Sequence, residues 1–281
     1  MLWNAKNGRV PLGNTGMRYA SFGHGRGKLV ILPGLSDGLA TVKGKALLLA
    51  KPYAPFLDRF TVYMFSRKDG MPRGYTIRDM AEDQARAMKA LGIDSACVLG
   101  VSQGGMIAQA LAIAHPELVE RLVLAVTAPR VNAIIEETVK KWIGFAEQGS
   151  HKALMIDTAE KSYSPEYLKK YRKIYPIIGL IGKPKSYDRF LVNARAILGF
   201  DALSELSGIA CPTLIIGGEE DQIVGIRASY EIRERIAGSE LIVYPGLGHA
   251  AYEEAREFNV RVFGFLEGSW RPSHGQGADF E

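Results

Sequence analysis

A serine between small residues is the strongest candidate for chemistry in this chain. The stretch GVSQGG (residues 100–105) follows ACVL (96–99), a predicted buried strand, and precedes a predicted helix over residues 106–112. A serine on so sharp a strand-to-helix turn holds its Oγ clear of the sheet, and N–H groups at the helix start face a developing negative charge. Ser102 is therefore predicted to be a nucleophile. A glycine-rich structural turn with a bystander serine is the alternative.

An acid and a histidine follow the serine, each just after a predicted strand. PTLIIGG (212–218) runs into Glu219, Glu220 and Asp221, and ELIVY (240–244) runs into PGLGH, which ends at His249. Because the carboxyl ends of parallel strands share one edge of a sheet, Ser102, Asp221 and His249 are expected to meet there. A histidine can take the serine proton during attack, and an acid can hold its tautomer. Asp221 is predicted to be that acid, with Glu219 and Glu220 as rivals.

These motifs resemble those of the α/β-hydrolase fold superfamily along nearly the whole chain. GVSQGG matches its nucleophile elbow, GEEDQIV (218–224) is similar to its acid loop, and Gly248-His249 matches its histidine loop. LPGL (32–35) is similar to the loop that supplies an oxyanion donor, with Pro33 in place of the usual histidine. The resemblance implies a mostly parallel central sheet flanked by helices, with an inserted helical lid. It also implies an oxyanion hole formed by the backbone N–H groups of Leu35 and Gln103.

The resemblance further implies a serine hydrolase that cleaves a small-molecule carboxylic ester or thioester through an acyl-enzyme. C–C bond hydrolysis or enol-lactone hydrolysis on the same triad stays open, as does a non-catalytic small-molecule receptor of this fold. Ser102 in place of an aspartate excludes dehalogenase and epoxide hydrolase chemistry. Residues 66–76, SRKDGMPRGYT, depart from the superfamily's D-x-R-G-x-G-x-S, so substrate identity is not carried over. No cofactor or metal is expected, because the five histidines are scattered.

Hydrophobic patterning predicts the elements that would position these residues. Residues 17–22 and 29–32 are predicted strands, joined as a hairpin by GHGRG (23–27). No helix directly follows these glycines, which argues against a phosphate-binding loop. Strands are also predicted at 60–65 and 121–126, and an amphipathic helix at 76–91.

From residue 129 to 203 the strand pattern stops and polar helical segments follow. We predict a core in two parts, 1–128 and 204–267, a helical lid at 129–203 and a flexible tail at 268–281. Residues 130–200 carry a net charge of +6, whereas the whole chain carries +5. Tyr167, Tyr171 and Tyr175 have the spacing of a helix whose aromatic face is turned inward. The basic lid is either an ordinary solvated surface or one that favours an anionic acyl substrate or an acidic carrier protein.

Length and composition limit the remaining possibilities. At 281 residues and 47% hydrophobic, the chain can bury a large core. No apolar stretch reaches the roughly 18 residues of a membrane span, and residues 1–9 lack a signal pattern, so we predict a cytoplasmic protein without a membrane partner. Cys97 and Cys211 are predicted to be unpaired core residues. Acids interspersed with the basic residues argue against nucleic acid, which leaves a small-molecule acyl substrate as the expected partner. The oligomeric state is not predicted.

Overall fold

A computed structural model describes residues 2–269 of the chain. Eight strands form one sheet in the order β1-β2-β4-β3-β5-β6-β7-β8. The strands are β1 Lys6–Leu12, β2 Thr15–Gly23, β3 Gly27–Leu32, β4 Phe60–Lys68, β5 Ala96–Val101, β6 Val119–Ala125, β7 Thr213–Gly218 and β8 Glu240–Tyr244. β1, β2 and β4 pair antiparallel, and every pairing from β4 to β8 is parallel. The fold is thus α/β with a mostly parallel sheet, as predicted.

The central strands are buried along their whole length. Every residue of β5 and of β7 is buried, and both strands consist of small and aliphatic residues with little polar content. Continuous apolar strands of this kind are typical of parallel sheets that helices cover on both faces. Two separate hydrophobic clusters pack here, one on each face of the sheet, because neighbouring residues of a strand point to opposite sides.

The predicted hairpin between the second and third strands is wrong. β2 and β3 do not pair, because β4 lies between them, antiparallel to β2 and parallel to β3. The backbone N–H groups of His24 and Gly25 donate instead to the carbonyl of Leu57, just before β4. The glycine-rich loop therefore crosses the end of β4 and does not close a two-stranded turn.

The first hairpin of the chain is formed by β1 and β2, and the sequence patterning missed β1. Its seven residues include only one buried side chain, Val10, because β1 is the outer strand of the sheet. Pro11 also weakens the strand signal, since proline within a sheet is confined to edges and bulges. A polar edge strand lacks the apolar run by which the other strands were recognised.

Eleven α-helices lie among residues 2–269, and three of them precede β6. The helices are α1 Ala46–Ala50, α2 Ile77–Ala90, α3 Gln103–Ala114, α4 Ala133–Glu147, α5 His151–Ser162, α6 Pro165–Tyr171, α7 Tyr175–Ile178, α8 Asp188–Leu198, α9 Arg227–Arg235, α10 Ala251–Glu254 and α11 Phe258–Glu267. α2 was predicted to within one residue at each end, and Thr76 and Asp79 cap its start reciprocally. α3 begins directly after Ser102, and His115, which precedes Pro116, caps its end.

Five helices, α4 to α8, are inserted between β6 and β7, and we call them the inserted helices. The two ends of the insertion are held together by an antiparallel bridge between Arg130 and Asp201. Hydrogen bonds from Val131 N to Phe200 O and from Ala202 N to Pro129 O flank this bridge. The insertion therefore leaves and re-enters the core at one point. Its role as a lid, with bounds at 129 and 203, stays a prediction.

The tyrosines of the inserted helices do not form the inward aromatic face that the sequence predicted. The rings of Tyr163, Tyr167 and Tyr171 stack on one another with centroid distances of 4.5 to 5.6 Å, and Tyr171 is exposed. The buried residue of α6 is Leu168. An aliphatic side chain thus takes the inner position of this helix, in place of the tyrosines.

Three other expectations can be compared with the described residues. Cys97 and Cys211 are both free, the first buried and the second half-buried. Between residues 2 and 269 the structure has no helix with the length and apolarity that a membrane crossing requires. The predicted tail, 268–281, lies outside the described residues from position 270 onward.

Candidate active site

The turn between β5 and α3 places Ser102 in a strained conformation. Its φ of 54° and ψ of −121° lie in a region that residues other than glycine rarely adopt. The glycines around it are there because the backbone comes close: a Cβ at Gly104 would lie 1.9 Å from the carbonyl oxygen of Leu32, and one at Gly100 would lie 2.5 Å from that of Gly104. The turn is therefore as tight as the sequence predicted.

Hydrogen bonds to neighbouring strands hold this strained turn in place. The N–H of Ser102 donates to the carbonyl of Ala125 at the end of β6, over 2.9 Å. The hydroxyl of Thr127 donates to the carbonyl of Ser102 over 2.7 Å. A residue in an unfavourable backbone conformation persists only where its surroundings fix it, and here β6 and the loop after it do so.

Ser102, His249 and Asp221 form a continuous line of hydrogen bonds. Ser102 Oγ lies 2.9 Å from Nε2 of His249, and Nδ1 of His249 lies 2.8 Å from Oδ2 of Asp221. A carboxylate can only accept, so Nδ1 carries a proton, and in the neutral imidazole Nε2 is then free to accept the Ser102 hydroxyl proton. His249 and Asp221 are both buried, at 7% and 6% exposure. The structure brings together the three residues that the sequence singled out.

The carboxylate of Asp221 is stabilised in its ionised form. Its other oxygen, Oδ1, accepts hydrogen bonds from the backbone N–H groups of Ile223 and Val224, at 2.8 and 3.0 Å. Burial raises the pKa of Asp221, but the charge and hydrogen bond of His249, together with the two backbone donors, outweigh burial and leave that pKa below its ordinary value. Asp221 is thus an anion at neutral pH and holds the proton on Nδ1 of His249.

The rival acids lie away from His249. Glu219 and Glu220 are both exposed, and the Glu219 carboxylate accepts from the N–H of Gly246 over 3.1 Å. The acid loop and the histidine loop touch at Gly218, where a Cβ would lie 2.2 Å from the carbonyl oxygen of Gly248. This close contact sets the distance between Asp221 and His249, whereas Glu219 only supports the loop from outside.

The two expected oxyanion donors flank the serine. Gln103 is the first residue of α3, and Leu35 begins a short 3₁₀ turn, Leu35–Gly38, that follows β3. At Gly34 a Cβ would lie 3.3 Å from Cβ of Ser102, so this loop runs directly against the serine. Within residues 2–269 neither the Leu35 N–H nor the Gln103 N–H donates a hydrogen bond. Both donors are thus available to a negative oxygen formed beside Ser102.

A protein-family model matches this chain. The model of the alpha/beta hydrolase fold matches residues 54–256, which is most of the chain and includes all three residues of the hydrogen-bonded line. The chain belongs to the alpha/beta hydrolase family.

Relatives of this hydrolase carry the names of several hydrolytic activities. RutD of Caulobacter sp. (strain K31), which carries the provisional name carbamate hydrolase, is 27% identical over 248 residues, covering 83% of this chain and 90% of that protein. The 2-hydroxymuconate semialdehyde hydrolase of Pseudomonas sp. (strain CF600) is 32% identical over 200 residues, covering 67% of this chain and 68% of that protein. The enol-lactonase structure from Burkholderia xenovorans LB400 has a TM-score of 0.78 at 22% identity and covers 92% of this chain and all of that one, which supports the fold.

A buried arginine lies directly behind Gln103, the residue that follows Ser102. Arg67, at the end of β4, is 1% exposed, and its Nη2 donates to Oε1 of Gln103 over 2.9 Å. The amide nitrogen of Gln103 donates in turn to the carbonyl of Asn193 in α8, over 2.7 Å. Burial lowers the pKa of Arg67 to about 10, with nearby Asp37 raising that pKa and Arg189 lowering it, so the side chain stays cationic at neutral pH. In this hydrolase the positive charge of Arg67 therefore holds the Gln103 side chain in place.

A second arginine ties the inserted helices to the turn Leu35–Gly38. Arg189 of α8 donates from Nη2 to Oδ2 of Asp37 over 2.6 Å and to the carbonyl of Arg67 over 2.7 Å. Asp37 is 2% exposed, and its Oδ2 also accepts from the backbone N–H of Arg67. Both expected oxyanion donors, Leu35 and Gln103, thus lie next to side chains that α8 holds.

The sequence did not predict the roles of Asp37, Arg67 and Arg189. The one available signal was the departure of residues 66–76 from the superfamily pattern, which begins where Arg67 lies. A charged residue at the end of a strand usually faces solvent, and nothing in the local pattern shows that α8 will cover it.

We expect Arg189→Met to lower the free energy of unfolding by about 3 kcal/mol, because it leaves the buried Asp37 carboxylate without its cationic partner. Urea denaturation measures this. Arg78→Met is the matched control, since Arg78 forms a solvent-exposed pair with Glu205 and should cost about 1 kcal/mol at most. Equal losses in the two variants would show that the Arg189–Asp37 pair is an ordinary surface ion pair.

The inserted helices also touch the histidine loop. The carbonyl of Ser162, the last residue of α5, accepts from the N–H of Ala250 over 2.8 Å. Ser164 donates from its N–H and its hydroxyl to Glu254, at 3.0 and 2.5 Å. The histidine loop is therefore held by Asp221 at His249 and by the end of α5 at Ala250.

Proposed function

We propose that Ser102, His249 and Asp221 form a catalytic triad that hydrolyses a small-molecule carboxylic ester or thioester through an acyl-enzyme. The observation that carries this proposal is the pair of hydrogen bonds at 2.9 and 2.8 Å that joins Ser102 Oγ to His249 and His249 to Asp221. A serine hydroxyl is a poor nucleophile unless a base removes its proton during attack, and His249 Nε2 is placed for that transfer.

In the first half of the reaction, Ser102 Oγ attacks the carbonyl carbon while His249 Nε2 takes the hydroxyl proton. The carbonyl oxygen becomes an oxyanion that accepts hydrogen bonds from the backbone N–H groups of Leu35 and Gln103. His249 then gives its proton to the leaving alkoxide or thiolate, which departs and leaves an acyl ester on Ser102. Asp221 stays ionised and stabilises the imidazolium.

In the second half a water molecule takes the place of the leaving group. His249 removes a proton from the water as its oxygen attacks the acyl carbon, and the same two backbone donors hold the second oxyanion. The bond to Ser102 Oγ then breaks, the serine recovers its proton from His249, and the carboxylic acid leaves. Each donor of this kind typically contributes about 2.7–4 kcal/mol to lowering the barrier.

A second candidate is the hydrolysis of a C–C bond next to a ketone. The 32% identity to a protein named 2-hydroxymuconate semialdehyde hydrolase favours this candidate. So does the cation of Arg67 next to Gln103, because such a reaction makes a carbanionic leaving group that a nearby positive charge would stabilise. The name of RutD adds carbamates as a further class of substrate, because the same nucleophile could attack their carbonyl carbon.

A panel of matched substrates separates these possibilities. We expect kcat/KM for p-nitrophenyl acetate and for its thioester analogue to exceed that for p-nitrophenyl N-methylcarbamate and for a 2-hydroxy-6-oxo-dienoate by at least tenfold. A preference for the dienoate would move the activity to the second candidate. If the protein turned over none of the four substrates and Ser102 were unreactive, the result would favour a non-catalytic receptor of this fold.

A further inference from the structure

Four aliphatic side chains lie exposed within eight residues of the inserted helices. Ile174, Ile177, Leu180 and Ile181, which we call the apolar tip, have exposed fractions of 37%, 54%, 81% and 50%. Within α7 the only buried residue is Ile178. Single exposed aliphatic residues are normal on a protein surface, but four within eight residues indicate a surface that contacts another apolar phase.

The charges next to the apolar tip are mostly positive, with Glu166 and Asp188 just outside the basic stretch. Residues 167–187 contain no aspartate or glutamate and six basic residues, namely Lys169, Lys170, Arg172, Lys173, Lys183 and Lys185. All six are exposed, and Arg172 is paired with Glu160. None of the five lysines forms an ion pair with any residue in the part of the chain that is described. The tip is thus surrounded by free positive charge.

This combination argues against two simpler explanations. The sequence offered a solvated helical surface as one interpretation of this segment, but such a surface does not explain four large exposed aliphatic side chains. A symmetric contact between two copies of the chain would bury the aliphatic residues but would also bring the two sets of lysines together, with few acids nearby to neutralise them. The surface therefore fits a partner that is apolar and anionic at once.

We propose that the apolar tip binds the surface of an anionic lipid bilayer. The four aliphatic side chains would enter the boundary between headgroups and acyl chains, and the lysines would lie at the level of the anionic headgroups. The sequence led us to expect no membrane partner because no segment can span a bilayer, and binding at the surface needs no such segment. The proposal is independent of the proposed hydrolase function.

The position of the tip allows it to be tested separately from catalysis. The ring of His151, at the start of α5, donates from Nε2 to the carbonyl of Ile181 over 2.9 Å, which fixes the tip at that end of the helix. The other end of α5 contacts the histidine loop through Ser162. A helix of 12 residues is about 18 Å long, so substitutions at the tip lie far from Ser102.

The experiment is cosedimentation of the full chain with vesicles of phosphatidylcholine, either alone or with about 30 mole per cent of the anionic lipid phosphatidylglycerol. We expect binding only to the anionic vesicles. Leu180→Asp should lower the partition coefficient at least tenfold, and the double variant Lys169→Gln, Lys170→Gln should lower it about 25-fold, given the usual contribution of each lysine near such a surface. Added salt should weaken the binding of the wild type.

Matched variants elsewhere on the surface control for general effects of charge and polarity. Leu48→Asp removes a side chain of 71% exposure in α1, and the double variant Lys43→Gln, Lys51→Gln makes the same change in net charge, so both should bind as the wild type does. Ester hydrolysis in solution should be unchanged in the tip variants. Absence of binding to anionic vesicles, or equal losses in tip and control variants, would overturn the proposal. A dimer in solution that Leu180→Asp dissociates would overturn it in favour of self-association.

Discussion

Ser102→Ala is expected to lower kcat for p-nitrophenyl acetate by roughly 10⁶-fold, because no other group can form the acyl-enzyme. KM should change little, since the hydroxyl contributes little to binding the ground state. The residual rate comes from the backbone donors of Leu35 and Gln103 and from binding alone. Steady-state hydrolysis with high enzyme concentrations measures the loss.

Ser204→Ala is the matched control for this variant. Ser204 is an exposed serine in the segment that returns from the insertion to the core, so its replacement should leave kcat unchanged. Near-ultraviolet circular dichroism shows whether each variant keeps its tertiary packing. A Ser102→Ala variant that is folded and keeps more than a tenth of the wild-type kcat would show that another residue is the nucleophile.

Asp221→Asn is expected to lower kcat by roughly 10⁴-fold while the fold is kept. The carboxylate of Asp221 accepts a hydrogen bond from the N–H group at Nδ1 of His249. An amide can instead donate its own N–H group there and favour the tautomer in which Nε2 carries the proton. In that tautomer His249 cannot accept the proton of Ser102. The measurement is the kcat of the purified variant with the same ester.

Glu219→Gln and Glu220→Gln are the controls, and each should lower kcat by less than about threefold, because both side chains are exposed and neither contacts His249. Loss of activity in Glu220→Gln equal to that in Asp221→Asn would move the third position of the triad to Glu220.

The Asp221→Asn variant also tests the direction in which the fold shifts the pKa of Asp221. The pKa of Asp221 in the fold lies below its ordinary value of 3.8, so the ionised carboxylate stabilises the fold at pH values above 3.8. This stabilisation is lost as the pH falls through the pKa of the folded state. The difference in the free energy of unfolding between the wild type and Asp221→Asn should therefore narrow as the pH falls below 3.8.

The parts of the site that lie in short local motifs could be predicted from the sequence. Gly100 and Gly104 are required because the backbones of the turn and of the neighbouring β3 come too close for side chains, so the turn has its own sequence signature. Asp221 and His249 each directly follow an apolar strand, and parallel strands bring such positions to one edge of a sheet. Local pattern and topology together were sufficient for these residues.

The parts that depend on contacts between distant segments could not be predicted. The glycine-rich loop after β2 looks like a hairpin turn, and only the position of β4 shows that it is not. Arg67 looks like a surface charge until α8 covers it, more than a hundred residues later in the chain. Leu180 looks like a core residue because its neighbours are aliphatic, yet it lies after the end of α7 and its side chain is 81% exposed.

The most direct test of the central claim is the mass of the intact protein after reaction with a fluorophosphonate, followed by peptide mapping. The proposed triad predicts one phosphonyl group per chain, located on Ser102, and no such group on Ser102→Ala under the same conditions. Attachment to a different residue, or equal labelling of the Ser102→Ala variant, would contradict the assignment of Ser102 as the nucleophile.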